Sequence, residues 1–337
     1  MSEALEAAEL AFENGDLDAA LEHAERALQE APDDLHALEL KGHLLAELGE
    51  FEDADEVFTA LLARAPKNLS ALIAAADVKI REPADDGSQV EAGLSLLDRA
   101  APLAKGDEQL QAEISLLRGL AFNHLGELEE VLAAFEKAVS LDAELGEAQL
   151  ERAIAFFELG RVHEAKRAFD RIARDWPEEP WAFHYLALLA ERRGENPQPL
   201  FDKAREMSPE EFPLPVHLSD AEFDAAVKAA IDALPAHAKP HLDNVTIDVE
   251  PLPSDDELQE GLSPTILGVF QGVPVDERLD THADHHHTAR IVLFQKNLER
   301  FARTREELLE EISITVLHEV GHLLGLDEDE LTDRGLD

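Results

Sequence analysis

The chain has no cysteine, which removes disulfides, thiolate catalysis and cysteine-based zinc sites from consideration. Aromatic residues are sparse at 5%, and only two methionines occur, Met1 and Met207. Positive charge is scarce too: 29 basic side chains stand against 74 acidic ones, a net charge of −45. Such a field repels phosphate backbones and anionic lipid surfaces, so neither nucleic acid nor a membrane is an expected partner. No stretch reaches the roughly 18 continuous apolar residues of a membrane span. The acidic start, Met1-Ser2-Glu3-Ala4-Leu5-Glu6, lacks the basic and apolar regions of a signal peptide. A soluble cytoplasmic protein is the expectation. The acidic excess is spread along the chain, with 28 acidic and 9 basic side chains in residues 211–337. It favours solubility or high-salt tolerance, or it attracts basic segments.

Apolar residues make up 45% of the 337, enough for a buried core, and the length suggests two domains. The first is repetitive. Gly15 and Gly49 lie 34 residues apart, as do Ala20 and Ala54, and Pro32 and Pro66. Gly126, Gly160 and Gly194 resume the spacing, as do Val131 with Ala165 and Phe135 with Phe169. Small residues (Ala8, Gly42, Gly119, Ala153, Ala187) mark where two helices approach closely. The glycines suit the left-handed position that closes a helix, and Pro32, Pro66 and Pro177 stop the second helix of a pair.

This pattern resembles the tetratricopeptide repeat, a 34-residue helix-turn-helix unit, over residues 1–208. About six units begin near 1, 35, 69, 112, 146 and 180, with an insertion at 81–87 in the third and a shortened turn in the sixth. The resemblance implies an all-α superhelix whose groove binds a peptide or protein partner. Histidines 23, 36, 43, 124, 163 and 184 read as surface or packing residues.

Prolines 209, 213 and 215 break the helical pattern, so 209–218 reads as a linker and 219–337 as a second domain. Ser219 with Glu222 forms a capping box ahead of a helix that Pro235 ends. Residues 245–250 alternate as a half-buried strand; 266–272 and 290–295 read as two more. Thr304 with Glu307 opens a long helix to about Leu324. A small α+β domain follows.

That last helix contains His318-Glu319-Val320-Gly321-His322. Residues at i and i+4 share a face, so both imidazoles can meet one ion. Glu319 lies about 100° around the helix, beside the metal and free to act as a base. Gly325 can take the positive φ that turns the chain back, swinging Asp327 in as a third ligand. Two His and one carboxylate leave the fourth zinc position open, as catalysis requires. The bare His-Glu-x-x-His pattern arises by chance in roughly 0.1 of chains of this composition; adding Gly325 and an acid or His at 327 lowers that to about 0.001. Glu328, Asp329 and Glu330 compete for the third position.

His318 to Asp327 matches the HExxHxxGxxD motif of zincins. With the Ser-capped helix, the 244–245 strand start and the 267–272 strand, residues 219–337 resemble the short bacterial zincin-like metallopeptidases. The resemblance implies that His318, His322 and Asp327 bind one Zn²⁺ and that Glu319 is the catalytic base. No methionine lies downstream to form a Met-turn. Strand 290–295 is expected to pair with an extended substrate. A second cluster, His282, Asp284, His285, His286 and His287, reads as a polar loop with metal binding as the alternative.

Two functions remain open at this point. One is a zinc metallopeptidase whose repeats recruit a protein substrate or partner. The other is an interaction scaffold whose zincin domain holds metal but turns over little. A metal other than zinc is compatible with the same ligands.

Overall fold

The computed structural model of the chain describes residues 2–81, 87–275, 289–327 and 330–331. It contains two compact units, Met1–Ala155 and Phe156–Asp337.

The first unit is built from antiparallel helix pairs: α1 (Glu3–Glu13) with α2 (Leu17–Glu30), α3 (Leu35–Glu47) with α4 (Phe51–Arg64), α5 (Leu69–Arg81) with α6 (Ser88–Ala100), and α7 (Glu108–His124) with α8 (Leu128–Leu141). Helix α9 (Gly146–Glu158) follows. The helix pairs keep the expected 34-residue register, except that α7 opens four residues early, where the Asp107 side chain caps the Leu110 N–H. Gly42 and Gly119 explain the small-residue rule physically. A Cβ on Gly42 would stand 2.6 Å from the Phe58 ring, and one on Gly119 would overlap the Phe135 ring. Phe58 and Phe135 are almost fully buried. Residues 82–86, within the expected insertion, lie outside the described residues.

The second unit contains α10 (Val162–Asp175), α11 (Pro180–Arg192), α12 (Gln198–Met207) and the α+β elements. Those elements are α13 (Asp220–Ala233), β1 (Val245–Glu250), α14 (Asp255–Gln259), β2 (Gly268–Gln271), β3 (Ala289–Phe294), α15 (Gln295–Phe301) and α16 (Arg305–Leu323). The Ser219–Glu222 capping box is formed. Ser254 and Glu257 form a second one that opens α14. Thr304 caps the Glu307 N–H, but the Glu307 carboxylate accepts from Arg303 instead of returning to Thr304.

The helical repeats and the α+β elements of this unit are tied by polar contacts. Glu158 accepts hydrogen bonds from the hydroxyls of Ser263 (2.7 Å) and Thr265 (3.1 Å). Glu191, with its side chain only 12% exposed, receives both Lys296 and Arg300. Arg192 donates to the Pro253 carbonyl and to Asp255.

The sheet order is β1-β3-β2, with β1 parallel and β2 antiparallel to β3. Strand β3 is therefore central, and both its sides are taken. This overturns the expectation that the 290–295 strand offers itself to substrate. The strand ends at Phe294, and Gln295 opens α15. Its residues Ile291 to Phe294 are all fully buried, as a strand covered on both faces requires. Phe223 and Val227 of α13 and Ile312, Val316 and Val320 of α16 pack on it to form the core that fixes α16.

Candidate metal centre

Helix α16 carries one stripe, Glu311, Thr315, His318 and His322, into a cleft of about 770 Å³. The opposite wall is β2 with the segment before it, from Ser263 to Phe270. The Phe294 N–H donates to the Leu267 carbonyl at 2.8 Å. Alternation along an antiparallel pair then turns the N–H and C=O of Gly268 and Phe270 away from β3, toward the sheet's outer edge. Among the described residues, β2 has no strand on that side.

His318 and His322 come together as expected. Their Nε2 atoms face each other at 3.0 Å. Two imidazole nitrogens bound to one tetrahedral zinc at 2.0–2.1 Å would stand about 3.3 Å apart, so the pair is spaced for a shared ion. His322 Nδ1–H donates to the Leu326 carbonyl at 3.2 Å, which places its ring proton away from the cleft and leaves the Nε2 lone pair for a metal. Gly325, at φ 91°, makes the turn that brings Leu326 to that position.

Glu319 lines the same cleft and is 5% exposed. It lies under Gly268: a Cβ there would be 2.6 Å from Thr315 Cγ2 and 3.3 Å from both Cγ and Oε1 of Glu319. Only glycine lets β2 approach α16 this closely. The second variable position of the motif is likewise constrained, because a Cβ on Gly321 would overlap fully buried Leu331.

Asp327 also lines the cleft, but it is exposed and bonded to Glu330. Its Oδ1 accepts the Glu330 N–H at 2.9 Å, and Glu330 Oε2 accepts the Asp327 N–H at 3.3 Å. Among the described residues, no three His, Asp or Glu side chains converge as a ready metal cluster. One accepted bond leaves most of a carboxylate's lone pairs available. Glu330 is turned back on the Asp327 backbone and does not line the cleft. Glu328, Asp329 and the 282–287 histidine cluster lie outside the described residues.

Sequence reasoning missed Glu311, Gly268 and the Leu326 carbonyl. The i, i+4, i+7, i+11 spacing of 311, 315, 318 and 322 was the available signal for Glu311.

Residues 242–336 match the family of zincin-like metallopeptidases. The chain carries a zincin-like metallopeptidase domain behind tetratricopeptide repeats. Residues 11–77, 112–145 and 150–210 match repeat families. No curated protein sequence matches the chain. Among solved structures, the pilus biogenesis factor PilW is similar at 14% identity and a TM-score of 0.53, over 61% of this chain and 93% of that one. A tetratricopeptide-repeat protein of Thermus thermophilus is similar at 26% identity and a TM-score of 0.44, over 52% and 91%. One from Parabacteroides merdae aligns at 19% identity and a TM-score of 0.45, over 68% and 83%. In the zincin-like domain no helix among the described residues is long and apolar enough to cross a membrane, and the same holds for the repeats.

Proposed function

We propose that this chain is a zinc-dependent metallopeptidase whose repeats recruit a protein substrate or partner. The observation that carries the reading is the 3.0 Å approach of the His318 and His322 Nε2 atoms beside buried Glu319, in a cleft walled by a strand edge. His318, His322 and Asp327 hold the metal. When bound, zinc supplies the Lewis acidity that makes water acidic near neutral pH and polarises a carbonyl.

The protein's own groups do the remaining work. The outward N–H and C=O groups of Gly268 and Phe270 pair with an extended peptide and set its register along the cleft. Glu319 takes the proton from the attacking water and passes it to the departing amine. The Leu326 carbonyl holds the His322 ring in the tautomer that keeps Nε2 unprotonated.

Elemental analysis is expected to find about one zinc per chain. Cleavage of unstructured peptides should fall by roughly 10²–10⁴ in Glu319→Gln with zinc content retained. Zinc without turnover on a broad peptide library would favour the scaffold function instead, for which the engagement of Asp327 Oδ1 by the Glu330 N–H is the supporting observation. A protein that takes up no zinc would end both.

A further inference from the structure

The cleft contains a carboxylate that peptide hydrolysis does not use. Glu311 sits two helical turns before His318 on the same stripe of α16, and its side chain lines the cleft. A rise of 1.5 Å per residue places it about 10 Å from the histidine along the helix. Glu311 is half-buried, and the Thr315 hydroxyl donates to its Oε1 at 3.5 Å. Burial, with Glu310 adding to it, raises its pKa above the ordinary carboxylate value, while Thr315 opposes the shift. Neither lysine nor arginine lines the cleft among the described residues, whereas Glu311, Glu319 and Asp327 all do. A carboxylate drawn partly out of water with no cation beside it gains from a cation brought by a ligand.

The direction of β2 says which part of a substrate meets it. Gly268 lies over Thr315 and Glu319, and farther along the chain the Val275 N–H donates to the Leu323 carbonyl at 2.8 Å. From Gly268 onward the chain therefore runs the same way as α16, and Glu311 lies toward the Thr265–Ile266 end of that wall. A peptide added antiparallel to β2 runs the opposite way, so the part of it beyond the scissile bond lies toward Glu311. At about 3.4 Å per residue, 10 Å corresponds to about three residues.

We infer that Glu311 selects substrates carrying a lysine or arginine within three residues on the C-terminal side of the cleaved bond. This rests on the peptidase function proposed above. The geometry also gives the strong acidity of the chain a use, since a basic substrate is attracted from a distance by the same sign of field.

The test uses the full-length, zinc-loaded protein and matched peptide series. Lysine, norleucine or glutamate is placed in turn at each of the first three positions after a fixed cleavable bond. At one position the wild type should cleave the lysine peptide about tenfold or more faster, by kcat/KM, than the norleucine peptide. Glu311→Gln should bring that ratio close to one, and Glu311→Lys should turn the preference toward glutamate. Equilibrium binding of the same peptides to the Glu319→Gln protein gives a readout independent of turnover, and its Kd ratio should follow the same order. Equal handling of lysine and norleucine by the wild type would overturn the inference while leaving the peptidase intact. A lysine preference that survives Glu311→Gln would overturn it equally. If no peptide is bound or cleaved, the peptidase function falls, and this inference with it.

Discussion

Gly268 of β2 rests on Glu319 of α16, so closely that a Cβ added at the glycine would stand only 3.3 Å from the carboxylate. That contact joins the proposed substrate-binding edge to the proposed base. Gly268→Val should therefore push the strand off the helix, because the first added carbon already meets Thr315 at 2.6 Å. Overpacking of this kind costs about 1–3 kcal/mol. We expect a lower unfolding temperature, checked by calorimetry, and a loss of peptide binding larger than the loss of zinc.

Asp327 has a structural and a proposed metal-binding task, and one substitution separates them. Asparagine keeps an oxygen for the Glu330 N–H but carries no charge. Asp327→Asn should leave circular dichroism unchanged. Because substitutions in outer-shell groups already weaken metal binding about 10–100-fold, losing a direct ligand should cost at least that much. Competition with a chelating dye measures it, and unchanged affinity would assign the third ligand elsewhere.

Glu191 pairs with mostly buried Arg300 and with the more exposed Lys296. Arg300 Nη1 is already buried without a hydrogen-bond partner. Glu191→Ala would strand a guanidinium there, at a cost of about 3 kcal/mol. The second unit should melt several degrees lower by tryptophan fluorescence, since Trp176 and Trp181 both belong to it. Replacing Glu191 and Arg300 together with apolar residues should recover much of that loss.

Two buried groups, Glu151 in the first unit and His184 in the second, should respond to pH with opposite signs. Burial lifts Glu151 from 4.5 to about 7, with Glu147 adding and Arg81 opposing. The folded chain then binds this proton more tightly than the unfolded one, so this contribution to stability falls as pH rises from about 4.5 to about 7. Glu151→Gln should flatten that slope and add on the order of 1–2 kcal/mol at pH 8.

His184 behaves in the reverse way. Burial, with help from the Arg300 charge, lowers it from 6.5 to about 4, among the rings of Trp181, Phe201 and Phe212. Its neutral form is favoured by folding, so stability is lost as pH falls from about 6.5 through about 4. Fluorescence-monitored melts of His184→Phe should show a smaller acid-induced drop, by on the order of 2 kcal/mol at pH 4.

Much of the local structure was legible because its causes are local. The 34-residue register, the Ser219–Glu222 capping box and strand 245–250 all appear where the pattern places them. The convergence of His318 and His322 follows from helical spacing alone. Glu311 escaped notice because a charged residue on a helix reads as solvated until a facing wall is known.

The strand order was a different matter. Residues 290–295 and 266–272 both read as strands, and spacing within a strand says nothing about its neighbours. The unbroken apolar run Ile291-Val292-Leu293-Phe294 was the one hint of a central position. Which strand is the edge, which wall faces α16 and which carboxylates share the cleft depend on contacts between residues tens of positions apart. The sequence by itself determined the His318–His322 pair, Glu319 beside it and the helical hairpins, since each depends on bond geometry within a few residues. Only the tertiary structure decided that β2, not β3, faces the cleft and that Glu311 and Asp327 share it, because packing against a common core chooses among arrangements that local geometry leaves equal.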